Sequence, residues 1–177
     1  MGNLTLNGQT VLTQVGTNRP EFGAGVPIGG VVNITQYRRP GKIDAALSSI
    51  ETFSNDTRTI LSVTVTAKLD NSNFFIMTNL DAYNGDSTMR ADCYLRRTIS
   101  STTVNIDEHK YAFYKNSPER EFQQHSFMVL DSPNVAKETN IIYFLDVQET
   151  GGASTAFGYG DGGGGSSNSI TVWEIAA

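Results

Sequence analysis

The chain is poor in the residues that small domains use as staples and switches: its 177 residues include one cysteine, two histidines and five prolines, and only 18% are charged. A single cysteine, Cys93, excludes an intramolecular disulfide, and a lone thiol within an apolar alternation reads as a small core residue. The two histidines, His109 and His125, stand outside any Cys/His ligand spacing, so neither a metal nor another cofactor is expected. Positive charge is scarce too. A net charge of −5 argues against nucleic acid as a partner, since phosphate binding needs concentrated Lys and Arg. No run approaches the roughly 20 apolar residues of a membrane span, and the opening Met-Gly-Asn-Leu-Thr-Leu has neither the basic nor the apolar region of an export signal. The expectation is a protein made in a reducing cytoplasm, without membrane insertion. Helical periodicity is also weak, with Asp44 to Phe53 the best helical candidate. The text contains no Gly-x-Ser-x-Gly elbow and no carboxylate pair on a recognisable rigid element, so a non-enzymatic protein is expected.

What remains is strand text. Leu61-Ser62-Val63-Thr64-Val65-Thr66-Ala67 alternates apolar and hydroxyl residues at period two. Asp70-Asn71-Ser72-Asn73 then turns the chain, and Phe74-Phe75-Ile76-Met77 is expected to return as its antiparallel partner. Met89, Ala91, Cys93 and Leu95 alternate with Arg90, Asp92, Tyr94 and Arg96, which gives one core side and one side toward water or a neighbour. Further runs are Phe122 to Leu130 and Asn140 to Val147. Glycine divides the text: between Gly41 and Gly151 only Gly85 occurs, so the middle is regular structure, and the glycines from Gly151 to Gly165 mark a loop. Roughly eight strands at this spacing describe an all-β sandwich or jelly roll.

At the front, Leu4 to Leu12 alternates around Asn7-Gly8, a hairpin signal. The punctuation from Gly16 to Gly30 reads as an extended linker. The chain is therefore divided into an N-terminal arm, residues 1–25, and a body, residues 26–177. At the other end, Ser169-Ile170-Thr171-Val172-Trp173-Glu174-Ile175 is rich in β-branched and aromatic residues and carries one charge. Such a strand is expected inside a sheet, because at an edge it would be an apolar template for other chains. Ile170, Val172, Trp173 and Ile175 are accordingly the candidates for core and oligomer contact.

The late glycines formally spell G-x-G-x-x-G over Gly158 to Gly163. The run lacks the following helix of a dinucleotide site, so that reading is set aside. The same loop offers Phe157, Tyr159 and Asp161 on a glycine frame, flat rings beside a carboxylate acceptor, and is the candidate glycan or partner loop. An apolar sandwich face would be removed from water by closed symmetric assembly, with Tyr83, Tyr94, Tyr111, Phe113 and Tyr114 as aromatic candidates for it.

The segment Val11-Leu12-Thr13-Gln14-Val15-Gly16-Thr17-Asn18-Arg19-Pro20-Glu21-Phe22, followed by Gly25-Val26-Pro27-Ile28-Gly29-Gly30-Val31-Val32, resembles the opening of a domain recurrent in virion proteins of marine and cyanobacterial bacteriophages. Phe127-Met128-Val129-Leu130-Asp131-Ser132-Pro133 and the closing Ser169 to Ala176 continue the resemblance, with Trp173 where a smaller apolar residue is usual and a longer, more charged stretch from Asp107 to Glu121. Such domains are similar to the C1q and tumour-necrosis-factor jelly roll. The resemblance implies a homotrimeric tail-fibre, knob or capsid-surface appendage located in the virion and serving host attachment or particle assembly. Its partners would be other copies of itself, virion proteins reached through residues 1–25, and a host-surface glycan. A C1q-like glycan-binding lectin and a glycan-degrading tailspike module are the alternatives.

Overall fold

In the computed structural model the described residues are 2–6, 9–14, 21–22, 29–40, 51–53, 57–84, 89–116, 121–150, 155–157 and 167–177. They form fourteen strands: β1 (Gly2–Leu6), β2 (Gln9–Gln14), β3 (Glu21–Phe22), β4 (Val31–Pro40), β5 (Glu51–Phe53), β6 (Thr57–Thr66), β7 (Asn73–Asn84), β8 (Met89–Ile99), β9 (Thr102–Lys115), β10 (Glu121–His125), β11 (Met128–Asp131), β12 (Asn140–Glu149), β13 (Thr155–Phe157) and β14 (Ser167–Ile175). Near the start of the chain β1 pairs antiparallel with β2 across Leu6 and Gln9, where Asn7-Gly8 signals a hairpin, and β3 adds to β2. Residues 44–50 of the helical candidate lie outside the described residues, and its end, Glu51–Phe53, is strand.

Strands β4 to β14 form a sandwich of two antiparallel sheets. In the first, β7 is the spine: β11 and β10 run along one side of it in unbroken register, from Asp131 opposite Phe74 to Glu121 opposite Asn84. Along its other side run β14 and β13, which pair in turn with β4 and β5. The second sheet has the order β6-β12-β8-β9. Every connection from β5 to β14 that joins these two sheets crosses from one to the other, except the β8–β9 hairpin and the continuations within one strand line. That alternation makes the sandwich a jelly roll.

One expected pairing is overturned. β6 and β7 do not form a hairpin; β6 pairs with β12 in the second sheet and β7 with β14 and β11 in the first. The intervening turn, with Asn71 at φ 57°, arches over the end of the sandwich instead. The closing strand holds that arch in place. Glu174 Oε1 accepts hydrogen bonds from the backbone N–H of Lys68 (2.7 Å) and Leu69 (3.0 Å) and from Ser72 Oγ (2.8 Å). An arch whose donors bond to a carboxylate on the opposite sheet has no need of a hairpin partner.

Inward residues of both sheets meet in one core. Ala91, Cys93 and Leu95 of β8 face Phe74, Ile76 and Leu80 of β7, and Ile141, Tyr143, Leu145 and Val147 line β12. The Cys93 thiol is pushed up in pKa by burial and by neighbouring Asp92, so it is an inert core group. Beside Glu174 lies a second buried polar knot: Asp131 accepts from Arg97 Nη1 at 2.5 Å and from the Tyr143 hydroxyl at 2.8 Å. Burial and the Asp131 carboxylate push the Tyr143 pKa up, so the phenol stays a donor. Among the described residues no helix is long and apolar enough to cross a membrane.

Candidate functional site

β14 lies between β4 and β7, and its two faces differ. Ile170 and Val172 point inward and are 0% and 1% exposed, whereas Trp173 and Ile175 point to the outer face of the first sheet and are half-buried. The glycine-rich candidate divides as well. Phe157 is not presented on a loop: it ends β13, pairs with Ala82 and is fully buried with its ring edge-on to Phe113 at 5.7 Å. A strand position facing the core gives a ring no access to a ligand. Tyr159 and Asp161 lie outside the described residues.

The outer face of the first sheet carries an apolar patch, bounded by the polar row Arg38, Ser169 and Asn79. Cross-strand register places Ile34, Trp173, Phe75 and Leu130 in one row over four strands, and Gln36, Thr171, Met77 and Met128 in the next. Residues directly opposite one another in an antiparallel pair share a face, so each row is contiguous. Met128 (70%), Leu130 (59%) and Ile34 (58%) are among the most exposed large apolar side chains of the protein. Trp173 and Phe75 pack as tilted rings at 5.5 Å, and Gln36 Nε2 donates to Thr171 Oγ1 at 2.8 Å. Of the aromatic candidates for such a face, only Tyr83 has an outward position on this sheet; Phe113 is core, and Tyr94, Tyr111 and Tyr114 lie on the other sheet.

The outer face of the second sheet is a polar lattice. Arg96 Nη1 donates to Asp146 Oδ2 (2.7 Å), Thr59 Oγ1 donates to Asp146 Oδ1, and Tyr94 donates from its hydroxyl to Gln148 Oε1 (2.9 Å). Lys110 Nζ bonds the Tyr94 hydroxyl (2.9 Å) and forms ion pairs with Glu108 (2.6 Å) and Asp92 (3.2 Å). Those hydrogen bonds, led by Glu108, raise the Lys110 pKa and keep it charged. The carboxylates here are held by donors, as structural acceptors are.

At the open edge between β9 and β10 the two histidines meet. His109 Nδ1 and His125 Nε2 share a hydrogen bond at 2.7 Å, and His109 stacks on Phe127 with centroids 4.1 Å apart. His125 is half-buried at the end of β10; burial first, and His109 second, lower its pKa. Among the described residues no group of three or more His, Cys, Asp or Glu could hold a metal ion.

One feature had no signal in the text: Tyr111 has φ 51°, the left-handed region, with its ring 55% exposed beneath the Arg90 guanidinium. The register shift between Ala91 and Cys93 that accompanies it depends on pairing across β8 and β9, which no local pattern encodes.

No protein-family model matches the chain, and no curated protein matches it. Among solved structures it is similar to that of infectious bursal disease virus Gx strain, with 10% identity and a TM-score of 0.47 over 100% of this chain. It is also similar to the VP2 subviral particle of infectious bursal disease virus (13% identity, TM-score 0.43, 93% of this chain). A third likeness is to Eiger TNF from S. frugiperda (11% identity, TM-score 0.37, 72% of this chain and 92% of that one). The chain spans 47% and 42% of the two viral chains. Likenesses this remote carry nothing about what the chain binds or does.

Proposed function

We propose that the chain is a non-enzymatic structural module of a virus particle, a homotrimeric appendage of the bacteriophage tail-fibre, knob or capsid-surface kind that serves host attachment or assembly. The observation that carries the reading is the apolar outer face built from Ile34, Trp173, Phe75, Met77, Leu130 and Met128. Contiguous apolar surface of this kind on a soluble chain marks an interaction site. Closed symmetry among identical copies removes it from water without leaving an open end. The jelly-roll order and the resemblance of the opening, Leu-Asp-Ser-Pro and closing segments to phage virion domains support the same assignment. The carboxylates Asp92, Asp131, Asp146 and Glu174 each accept hydrogen bonds or ion pairs that fasten the fold, which favours a structural protein over a glycan-degrading tailspike.

The test is the mass in solution together with the position in the particle. Light scattering at micromolar concentration is expected to give three times the 19.2 kDa chain mass, and antibody to the chain is expected to decorate the particle surface. A monomer, or release of reducing ends from a host polysaccharide, contradicts the reading.

A further inference from the structure

We propose that Tyr111, Tyr114 and Arg90 form a binding site for a carboxylate-bearing carbohydrate on the outer face of the second sheet. The inference rests on the attachment reading above and gives it a site and a ligand class, away from the glycine-rich loop.

The three side chains form one exposed platform. Tyr111 and Tyr114 are 55% and 51% exposed, their rings meet edge to face at 6.3 Å, and the Arg90 guanidinium lies 4.8 Å from the centre of the Tyr111 ring. Both tyrosines are held from behind. A positive φ is rare for a bulky residue, and at Tyr111 it is held by Asp92, whose Oδ1 accepts the Tyr111 N–H at 2.8 Å. Asp92 is itself 8% exposed, so this acceptor is fixed in the sheet. Tyr114 is clamped from the first sheet: its N–H donates to Gln123 Oε1 (3.0 Å) and its carbonyl accepts from Gln123 Nε2 (2.7 Å). The bulge turns Tyr111 out of the sheet surface instead of into the core, as bulges beside functional sites do.

The platform's chemistry selects the ligand. Aromatic faces held rigid accept the C–H faces of a sugar ring with little loss of side-chain freedom. The charge comes from Arg90, whose guanidinium makes no hydrogen bond or ion pair among the described residues and so keeps its forked donors for a carboxylate. Lys110, another cation on this face, is occupied by Glu108, Asp92 and Tyr94, and Arg96 by Asp146, so neither serves as the reader. Two rings and one charge amid polar surface suit one or two sugar residues. They do not make the broad apolar centre of a protein interface, a role the opposite sheet fills.

The experiment is titration of the full chain with an oligogalacturonate and with a neutral gluco-oligosaccharide of equal length, followed by calorimetry. The acidic oligosaccharide is expected to bind more tightly. Arg90→Gln should bring its affinity down about tenfold, toward that of the neutral one, and Tyr111→Ala should weaken it by at least about tenfold. Tyr114→Ala, whose backbone clamp to Gln123 does not use the ring, is the companion variant should Tyr111→Ala fail to fold, and should show the same loss. Equal affinity for the two oligosaccharides, indifference to Arg90→Gln, or no binding of either overturns the site. Capture of a protein in place of a glycan by these residues overturns it too. The chain mass, measured on the same samples, reports separately on the trimer, so the two readings fail independently.

Discussion

The two outer faces of this sandwich are built on the same kind of antiparallel strand and back onto the same core, yet they solve opposite problems. On the first sheet, Ile34, Trp173, Phe75 and Leu130 leave a row of apolar surface bare. On the second, Arg96, Asp146, Tyr94, Gln148 and Lys110 bond one another in a polar lattice. The difference teaches that a face's partner can be read from where its polar groups terminate: groups that satisfy one another need water alone, a cation left unpaired beside exposed rings, as Arg90 is, can take a charged ligand, and an apolar row needs another surface.

The contrast can be broken from inside first. Val172 is 1% exposed and lies between the two sheets beneath the apolar face. Val172→Asp would bury a charge without a partner at a cost of several kcal/mol, comparable to a typical domain stability of about 5–15 kcal/mol. The variant is expected to be insoluble or to lose its cooperative thermal transition, so neither face would survive it. A soluble variant with a normal melting curve would show that β14 is not central.

A smaller effect is expected from opening the polar lattice. Arg96→Met takes the guanidinium from Asp146, whose side chain is 7% exposed, and leaves Thr59 as that carboxylate's remaining donor. A loss of about 1–3 kcal/mol should appear as a lower urea midpoint with unchanged slope, while the oligomer mass stays the same. A change in mass would mean that the second face also makes the assembly contact.

The smallest effect is the pH dependence at the edge joining the two sheets. The groups facing His125 there are His109 and, through it, Asp107 at 3.4 Å, with Cys93 opposite His109 in register. Because the folded pKa of His125 lies below its unfolded value of 6.5, the unfolded chain binds the extra proton first. Stability is therefore complete above 6.5, declines as pH falls below it, and levels off under the folded pKa of His125. His125→Gln should remove this decline from a series of urea midpoints, leaving the carboxylate-driven loss at lower pH in place.

Much of the architecture is legible in the residues. The alternation of β8 correctly separates Ala91, Cys93 and Leu95 from Asp92, Tyr94 and Arg96, because period two is a local property of the strand. The all-β class follows from the same text. Which parity of β14 faces inward is not legible, since Val172 and Trp173 are both large and apolar and the choice is made by β4 and β7 on either side. The turn at Asp70 to Asn73 has residues suited equally to a hairpin and to an arch, and a carboxylate over a hundred positions away, Glu174, decides between them. Phe157 reads as loop because glycines surround it, whereas the register along β7 draws it into the core. The strained Tyr111 depends on Asp92 across a bulge, which is information carried by pairing alone.

The central claim is that the apolar face of the first sheet is where the chain meets its own copies, and sedimentation velocity of Leu130→Asp beside the unaltered protein tests it most directly. Leu130 is 59% exposed, so the substitution leaves the core intact and places a charge at the β11 end of the apolar row. The account predicts a trimer for the unaltered chain and a folded monomer, with unchanged far-ultraviolet circular dichroism, for the variant. A variant that still sediments as a trimer would contradict it.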